Sequence, residues 1–123
     1  MTESSRSYNL EERTARFGEA IIQFCRQSRH DVVTKPLINQ LVRSGTSIGA
    51  NYMEANAASS RKDFRNKIFI CKKEAQETKH WLRMLAGCYP ENKEELRKLW
   101  KECHELTLIF GKIVSTLRRN QIK

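Results

Sequence analysis

Apolar side chains recur along this chain at alternating intervals of three and four residues, the spacing that gathers one buried face on an α-helix. The first series is Leu10, Thr14, Phe17, Ile21, Phe24 and Ser28, with Asn9 and Glu12 in capping-box register at its start. It predicts a helix over about 10–29, followed by a connection from His30 to Thr34. Thr34 is placed to accept from the first free amides of a second helix, and Pro36 suits a first turn, where its missing N–H has no partner to lose. Ile38, Leu41, Gly45, Ile48, Tyr52 and Ala55 carry that helix over 35–57. Ser59 and Ser60 break the pattern, and Ser60 to Asp63 resembles a second capping box. It opens a third helix over 61–89, with Phe64, Ile68, Cys71, Ala75, Thr78, Leu82, Leu85 and Tyr89 on its stripe, until Pro90 stops it. Asn92 with Glu95 caps a fourth over 93–119, where Leu96, Leu99, Cys103, Leu106, Phe110, Ile113 and Leu117 keep an unbroken a/d heptad. Four such stripes joined by short connections are buried together by an all-α, antiparallel, up-down-up-down four-helix bundle, one domain over residues 1–123.

Several large apolar residues fall outside those stripes. Ile70, Trp81, Met84 and Cys88 form a second face on the third helix, and Trp100, Thr107 and Val114 widen the fourth. An exposed apolar row of that length marks a subunit interface, so Ile70, Trp81, Met84 and Trp100 are expected to support self-association. The second helix carries a stripe of another kind, in which Gln40, Ser44, Ser47, Asn51 and Glu54 recur at helical spacing beside Gly45 and Gly49. The small residues permit close helix approach. The polar stripe of Ser44, Ser47, Asn51 and Glu54 is read as structural, satisfying a neighbouring helix or subunit, with Arg43 at its edge able to reach a phosphate or a carboxylate.

Charge narrows the partner. The 123 residues hold 23 Lys and Arg against 14 Asp and Glu, a net +9, and the excess is uneven. Eight basic and three acidic residues lie between Arg61 and Arg83, and eight against four between Lys93 and Lys123, so the first half is nearly neutral. Arg61, Arg65, Lys72, Lys79 and Arg83 are spaced by four and seven, which strings them along one side of the third helix. Such a ladder tracks the phosphates of RNA or DNA without reading sequence, and no clustered aromatic platform for stacking bases stands out in the order of residues. These five and Arg43 are the candidate nucleic-acid contacts.

The chemistry of an enzyme is weakly represented. Cys25, Cys71, Cys88 and Cys103 are isolated from one another and from His, so neither zinc nor any other metal or cofactor is expected, and the thiols are read as packing residues. The carboxylate pairs Glu11/Glu12, Glu74/Glu77 and Glu94/Glu95 look like helix capping and surface pairing. Arg97 and His104 form an Arg-x6-His pair similar to the signature of nucleotide-binding bundle ribonucleases, although Lys98 stands where that family usually has a polar Asn, Asp or His. With 3 His in all, no acid–base constellation is complete and no catalytic residue is assigned. The polar start and the lack of any run near the ~18 apolar residues of a membrane span lead to the expectation of a soluble, cytoplasmic protein that contacts no membrane.

The segment Leu37 to Asn51 followed by Glu54 and by Ser60 to Phe64, with its run Arg43-Ser-x-x-Ser-Ile-x-x-Asn-x-x-Glu54, resembles the small bundle proteins encoded in intervening sequences of bacterial 23S ribosomal RNA genes. His80 to Gly87 is also similar to a segment of the accessory variability proteins of diversity-generating retroelements, whose partner is a reverse transcriptase. What the resemblance implies is a non-catalytic bundle, assembled as a homopentamer, with a basic surface for nucleic acid. A reverse transcriptase is the alternative partner, and a bundle ribonuclease the alternative activity.

Overall fold

Each apolar series becomes a helix. The computed structural model describes residues 9–122, and the polar stretch ahead of Asn9 lies outside them. Helix α1 spans Leu10–Gln27, α2 Thr34–Asn56, α3 Arg61–Ala86 and α4 Lys93–Ile122, with a 3-10 turn at Pro90–Asn92 between the last two. No strand occurs among the described residues. Neighbours across each sequential seam run in opposite chain directions. Gly45 faces Ile21 and Gly49 faces Thr14 between α1 and α2. The Ile48 carbonyl accepts from the Cys71 thiol and Glu54 meets Lys67 between α2 and α3. Between α3 and α4, Cys103 donates to the Ala75 carbonyl and Lys72 lies against Gly111.

The core is the set of stripe residues, with Ile21, Phe24, Leu41, Ile48, Ile68, Leu82, Leu85, Leu106 and Phe110 all buried. Tyr89 closes one end: its ring meets Phe24 edge-on at 5.8 Å, and its hydroxyl donates to the Arg29 carbonyl. A Cβ on Gly45 would lie 3.0 Å from Cγ1 of Ile21, so α1 and α2 approach at a place where only hydrogen fits comfortably.

Local signals were decoded unevenly. The Ser60 hydroxyl accepts from the Asp63 N–H at 3.0 Å and starts α3 as its spacing suggests. At α2 the cap is Asp31 and not Thr34. The Asp31 carboxylate accepts from the N–H groups of Val33 and Thr34 at 2.9 and 2.8 Å, while the Thr34 hydroxyl accepts from the Asp31 N–H. A carboxylate takes two orphan donors and suits the positive end of the helix, so it displaces the hydroxyl, and these bonds hold its own protonation below the ordinary carboxylate range. Asn9 makes no side-chain cap bond, and the Asn92 amide reaches the Glu95 carboxylate at 3.4 Å instead of a backbone group. In α4 the buried set drifts off the heptad. Thr107 and Val114 are buried while Ile113 and Leu117 are only half-buried, because a straight helix rotates about 20° per heptad away from a 3.5-residue repeat.

The seam between α1 and α4 is the loosest. An open cleft of about 1740 Å³ runs along it beside Phe17, Leu99, Ile109 and Ile113. Arg13 spans the cleft with two parallel bonds to Glu102 at 2.7 and 2.8 Å, which hold its guanidinium charged even more firmly than usual.

Candidate nucleic-acid interface

Helix α3 lies between α2 and α4, and its two flanks differ in how their charges are met. Toward α2, Arg43 donates to Glu74 at 3.1 Å and to Glu77, with its Nε on the Gln40 side-chain carbonyl at 3.1 Å. Lys67 meets Glu54 at 2.6 Å on the same side. Arg43 was expected to reach a phosphate or a carboxylate. Within the fold it is clasped by two carboxylates of the neighbouring helix, because the antiparallel register places Glu74 and Glu77 one turn apart opposite it.

Toward α4 the cations stand without carboxylates. Among the described residues, no ion pair involves Arg61, Arg65, Lys72, Lys79 or Arg83. Arg61 and Arg65 border a shallow hollow with Phe64, Leu117 and Asn120. Lys72 runs its aliphatic stem past Gly111, with Cε 3.8 Å from where a Cβ would sit. The Lys79 ammonium lies within hydrogen-bond distance of Nδ1 of His104, at 3.0 Å. It also lies 5.2 Å from the centre of the Trp100 ring, and Trp100 stacks on His104 at 5.0 Å with the rings 12° from parallel. Farther along the seam, the Arg118 guanidinium lies 5.9 Å from the Phe69 ring.

Trp100, His104, Phe69 and Arg118 form the part of this surface that the order of residues concealed. Phe69 and Lys79 belong to α3, the others to α4, and only the antiparallel pairing of those helices brings them together. The one legible signal was Trp100 lying off the a/d series.

The four residues expected at a subunit interface do not share one face. Ile70, Trp81 and Met84 fall in the same helical row as Glu74 and Glu77, on the α2 flank, whereas Trp100 belongs with Lys79 on the other. Met84 is exposed, Ile70 half-buried, and Trp81 packs partly against the core with its indole N–H buried and lacking an acceptor. The polar stripe of α2 is also divided. Ser44 lies 2.9 Å from the Thr78 hydroxyl across the seam and Glu54 reaches Lys67. Ser47 and Asn51, expected to satisfy another helix or subunit, bond within the chain to carbonyls of their own helix: the Ser47 hydroxyl to Arg43 at 2.6 Å and the Asn51 amide to Ser47 at 2.8 Å. Short polar side chains inside a helix reach the preceding turn more easily than a neighbour.

Arg97 and His104 have separate engagements, Arg97 with Glu94 at 3.0 Å and His104 with Lys79 and Trp100. Burial pushes the thiols of Cys71 and Cys103 up to about 12 and that of Cys25 to about 11, far from nucleophilic use. Among the described residues no three His, Cys, Asp or Glu side chains gather as for a metal, and no helix is long and apolar enough to cross a membrane.

Comparison with known proteins agrees with this architecture. The model of the family described as 23S rRNA-intervening sequence protein matches residues 6–112. A solved structure from Bacteroides thetaiotaomicron, described as a protein with unknown function from the S23 ribosomal protein family, is 31% identical. The match covers 85% of this chain and 96% of that one, with a TM-score of 0.75. No curated protein matches the chain.

Proposed function

For a chain that belongs to the 23S rRNA-intervening sequence protein family, we propose a non-catalytic, basic module that binds RNA or DNA by phosphate contacts along the α4 flank of α3. The observation that carries this reading is that Arg61, Arg65, Lys72, Lys79 and Arg83 line one side of a helix without a carboxylate partner among the described residues. A cation already matched inside the fold has little left to offer a phosphate; an unmatched one can replace condensed counterions, whose release drives such binding. Arg43, with its two carboxylates, is therefore left out of the contact set.

The test is a salt titration of binding to a 12-base-pair RNA duplex and to a 12-nucleotide oligouridylate. Changing Arg61, Arg65, Lys72 and Arg83 together to Gln should flatten the plot of log affinity against log salt by about 0.7 to 0.9 per lost contact, roughly three units for the four. Circular dichroism should show the bundle intact. Arg43→Gln should leave the slope unchanged. Equal slopes for the parent and the fourfold variant would refute the reading.

The same family membership supports self-association. We assign the exposed and half-exposed apolar row Ile70, Trp81 and Met84 to contacts between copies, with a homopentamer as the assembled state. Light scattering should report five chains of 14.4 kDa, and a single-chain mass at all concentrations would overturn the assignment.

A further inference from the structure

The α4 flank of α3 holds more than charge. Position by position, Arg65, Phe69, Lys72, Lys79 and Arg83 follow one row of α3, while Trp100, His104, Leu108, Gly111 and Arg118 follow one row of α4. The two rows face each other, as the Lys79–His104, Lys72–Gly111 and Phe69–Arg118 neighbours show. Along this seam three apolar side chains are open to solvent: Trp100 is 37% exposed, Phe69 46% and Leu108 59%. Each of the two aromatic rings has a cation beside it, Lys79 by Trp100 and Arg118 by Phe69. The rings are separated by the run from Phe69 to Lys79, ten residues or about 15 Å of helix, and Lys72 lies between them.

Aromatic rings alternating along one seam with cations that meet no carboxylate among the described residues are what a single strand requires and a duplex cannot use. In a duplex the bases are stacked on each other and turned inward, so only phosphates reach the protein. A single strand presents its bases as well, and each has a flat face that an aromatic ring can take regardless of sequence. We infer that the α3–α4 seam is a binding groove for single-stranded nucleic acid, in which Trp100 and Phe69 stack unpaired bases while Lys72, Lys79 and Arg65 hold the intervening phosphates. Trp100 is pre-set for this. Its stack on His104 and the nearby Lys79 ammonium fix the indole plane, so a base added to the exposed side extends an existing column. The inference rests on the phosphate-binding reading above and adds to it the strandedness of the ligand.

The experiment uses the full chain with the same two probes, the 12-nucleotide oligouridylate and the 12-base-pair duplex. Trp100→Ala and Phe69→Ala should each weaken oligouridylate binding by about fivefold or more, the range expected for one lost base stack, and leave duplex binding unchanged. Trp100→Phe should restore most of the loss. In a Trp81→Phe background, where Trp100 is the sole indole, oligouridylate should quench the fluorescence and the duplex should not. If Trp100→Ala weakens both probes equally, the residue only positions Lys79 and the stacking groove is refuted. If it weakens neither while the fourfold Gln variant loses both, the groove is refuted and the phosphate reading survives. If the parent binds neither probe, both fall together.

Discussion

On the side of α3 that meets α2, Arg43 and Lys67 are answered by Glu74, Glu77 and Glu54, and a pair of hydroxyls closes the buried part of the seam. On the side that meets α4, Lys72 runs its stem past a glycine and the Lys79 ammonium lies over an indole, and among the described residues none of the five ladder cations meets a carboxylate. The two flanks use the same residue types. They differ in where the acidic partners fall, and that decides which part of the +9 is available to a ligand. The energetic difference is small, since exposed ion pairs contribute about 0–1 kcal/mol each. Pairing on the α2 flank thus acts less as a support for the fold than as a way of removing charge from that side.

Beneath this difference the flanks share a feature, and the largest expected effect on stability comes from it. Each seam buries one thiol, Cys71 donating to the Ile48 carbonyl and Cys103 donating to the Ala75 carbonyl. Burial raises both to about 12 and Cys25 to about 11, whereas in the unfolded chain a thiol ionises near 8.5. As pH rises past that unfolded value, the unfolded chain releases protons that the folded chain keeps, so stability falls. The loss should amount to about 2 kcal/mol per thiol by pH 10, roughly 6 kcal/mol for the three. Urea midpoints at pH 7.5, 9 and 10 measure it. Cys71→Ala and Cys103→Ala should each remove about a third of the pH dependence; a much smaller share for Cys103 would mean that the α4 seam admits water and that the flanks differ in depth as well as in charge.

A smaller effect isolates the α2 flank. The Thr78 hydroxyl is buried beside Ser44 at 2.9 Å, and Ser44 otherwise has only the Leu41 carbonyl at 3.5 Å. Thr78→Val keeps the shape and strands the Ser44 hydroxyl, which should cost about 1 kcal/mol in thermal or urea unfolding. Adding Ser44→Ala removes both polar groups and should recover much of that loss. Nucleic-acid affinity should not change in either variant. If it does, the α2 flank takes part in binding and the contrast between the flanks fails.

The helices were legible because burial of a stripe at helical spacing leaves few other solutions, and the capping residue Ser60 could be read from its neighbours alone. The basic ladder was legible for the same reason, as a periodicity within one helix. What pairs with what was not. Whether Arg43 reaches a phosphate or a carboxylate could be read only once α2 and α3 were set in register against each other, and the Lys79 and His104 neighbours of Trp100 only once α3 and α4 were. Asp31 was hidden differently. Its capping role competes with that of Thr34, and the choice rests on a carboxylate accepting two N–H groups where a hydroxyl accepts one.

The smallest expected effect probes how tightly the α4 flank is packed. Gly111 sits within α4 and costs that helix about 1 kcal/mol relative to alanine, because its backbone loses more freedom on folding. A Cβ there would touch only the Lys72 Cε, at an ordinary 3.8 Å, whereas a Cβ at Gly45 would press on three atoms of the buried Ile21. Gly111→Ala should therefore stabilise the bundle by about 0.5 to 1 kcal/mol, and Gly45→Ala should destabilise it despite the same gain in helix propensity. Both are read from urea midpoints at constant slope. Because the flexible Lys72 stem can shift by a few tenths of an ångström, Gly111→Ala should leave the salt dependence of binding untouched. A destabilised Gly111→Ala variant would show that the Lys72 stem is wedged in place, and that the α4 flank is a packed seam rather than the open groove proposed along Trp100 and Phe69.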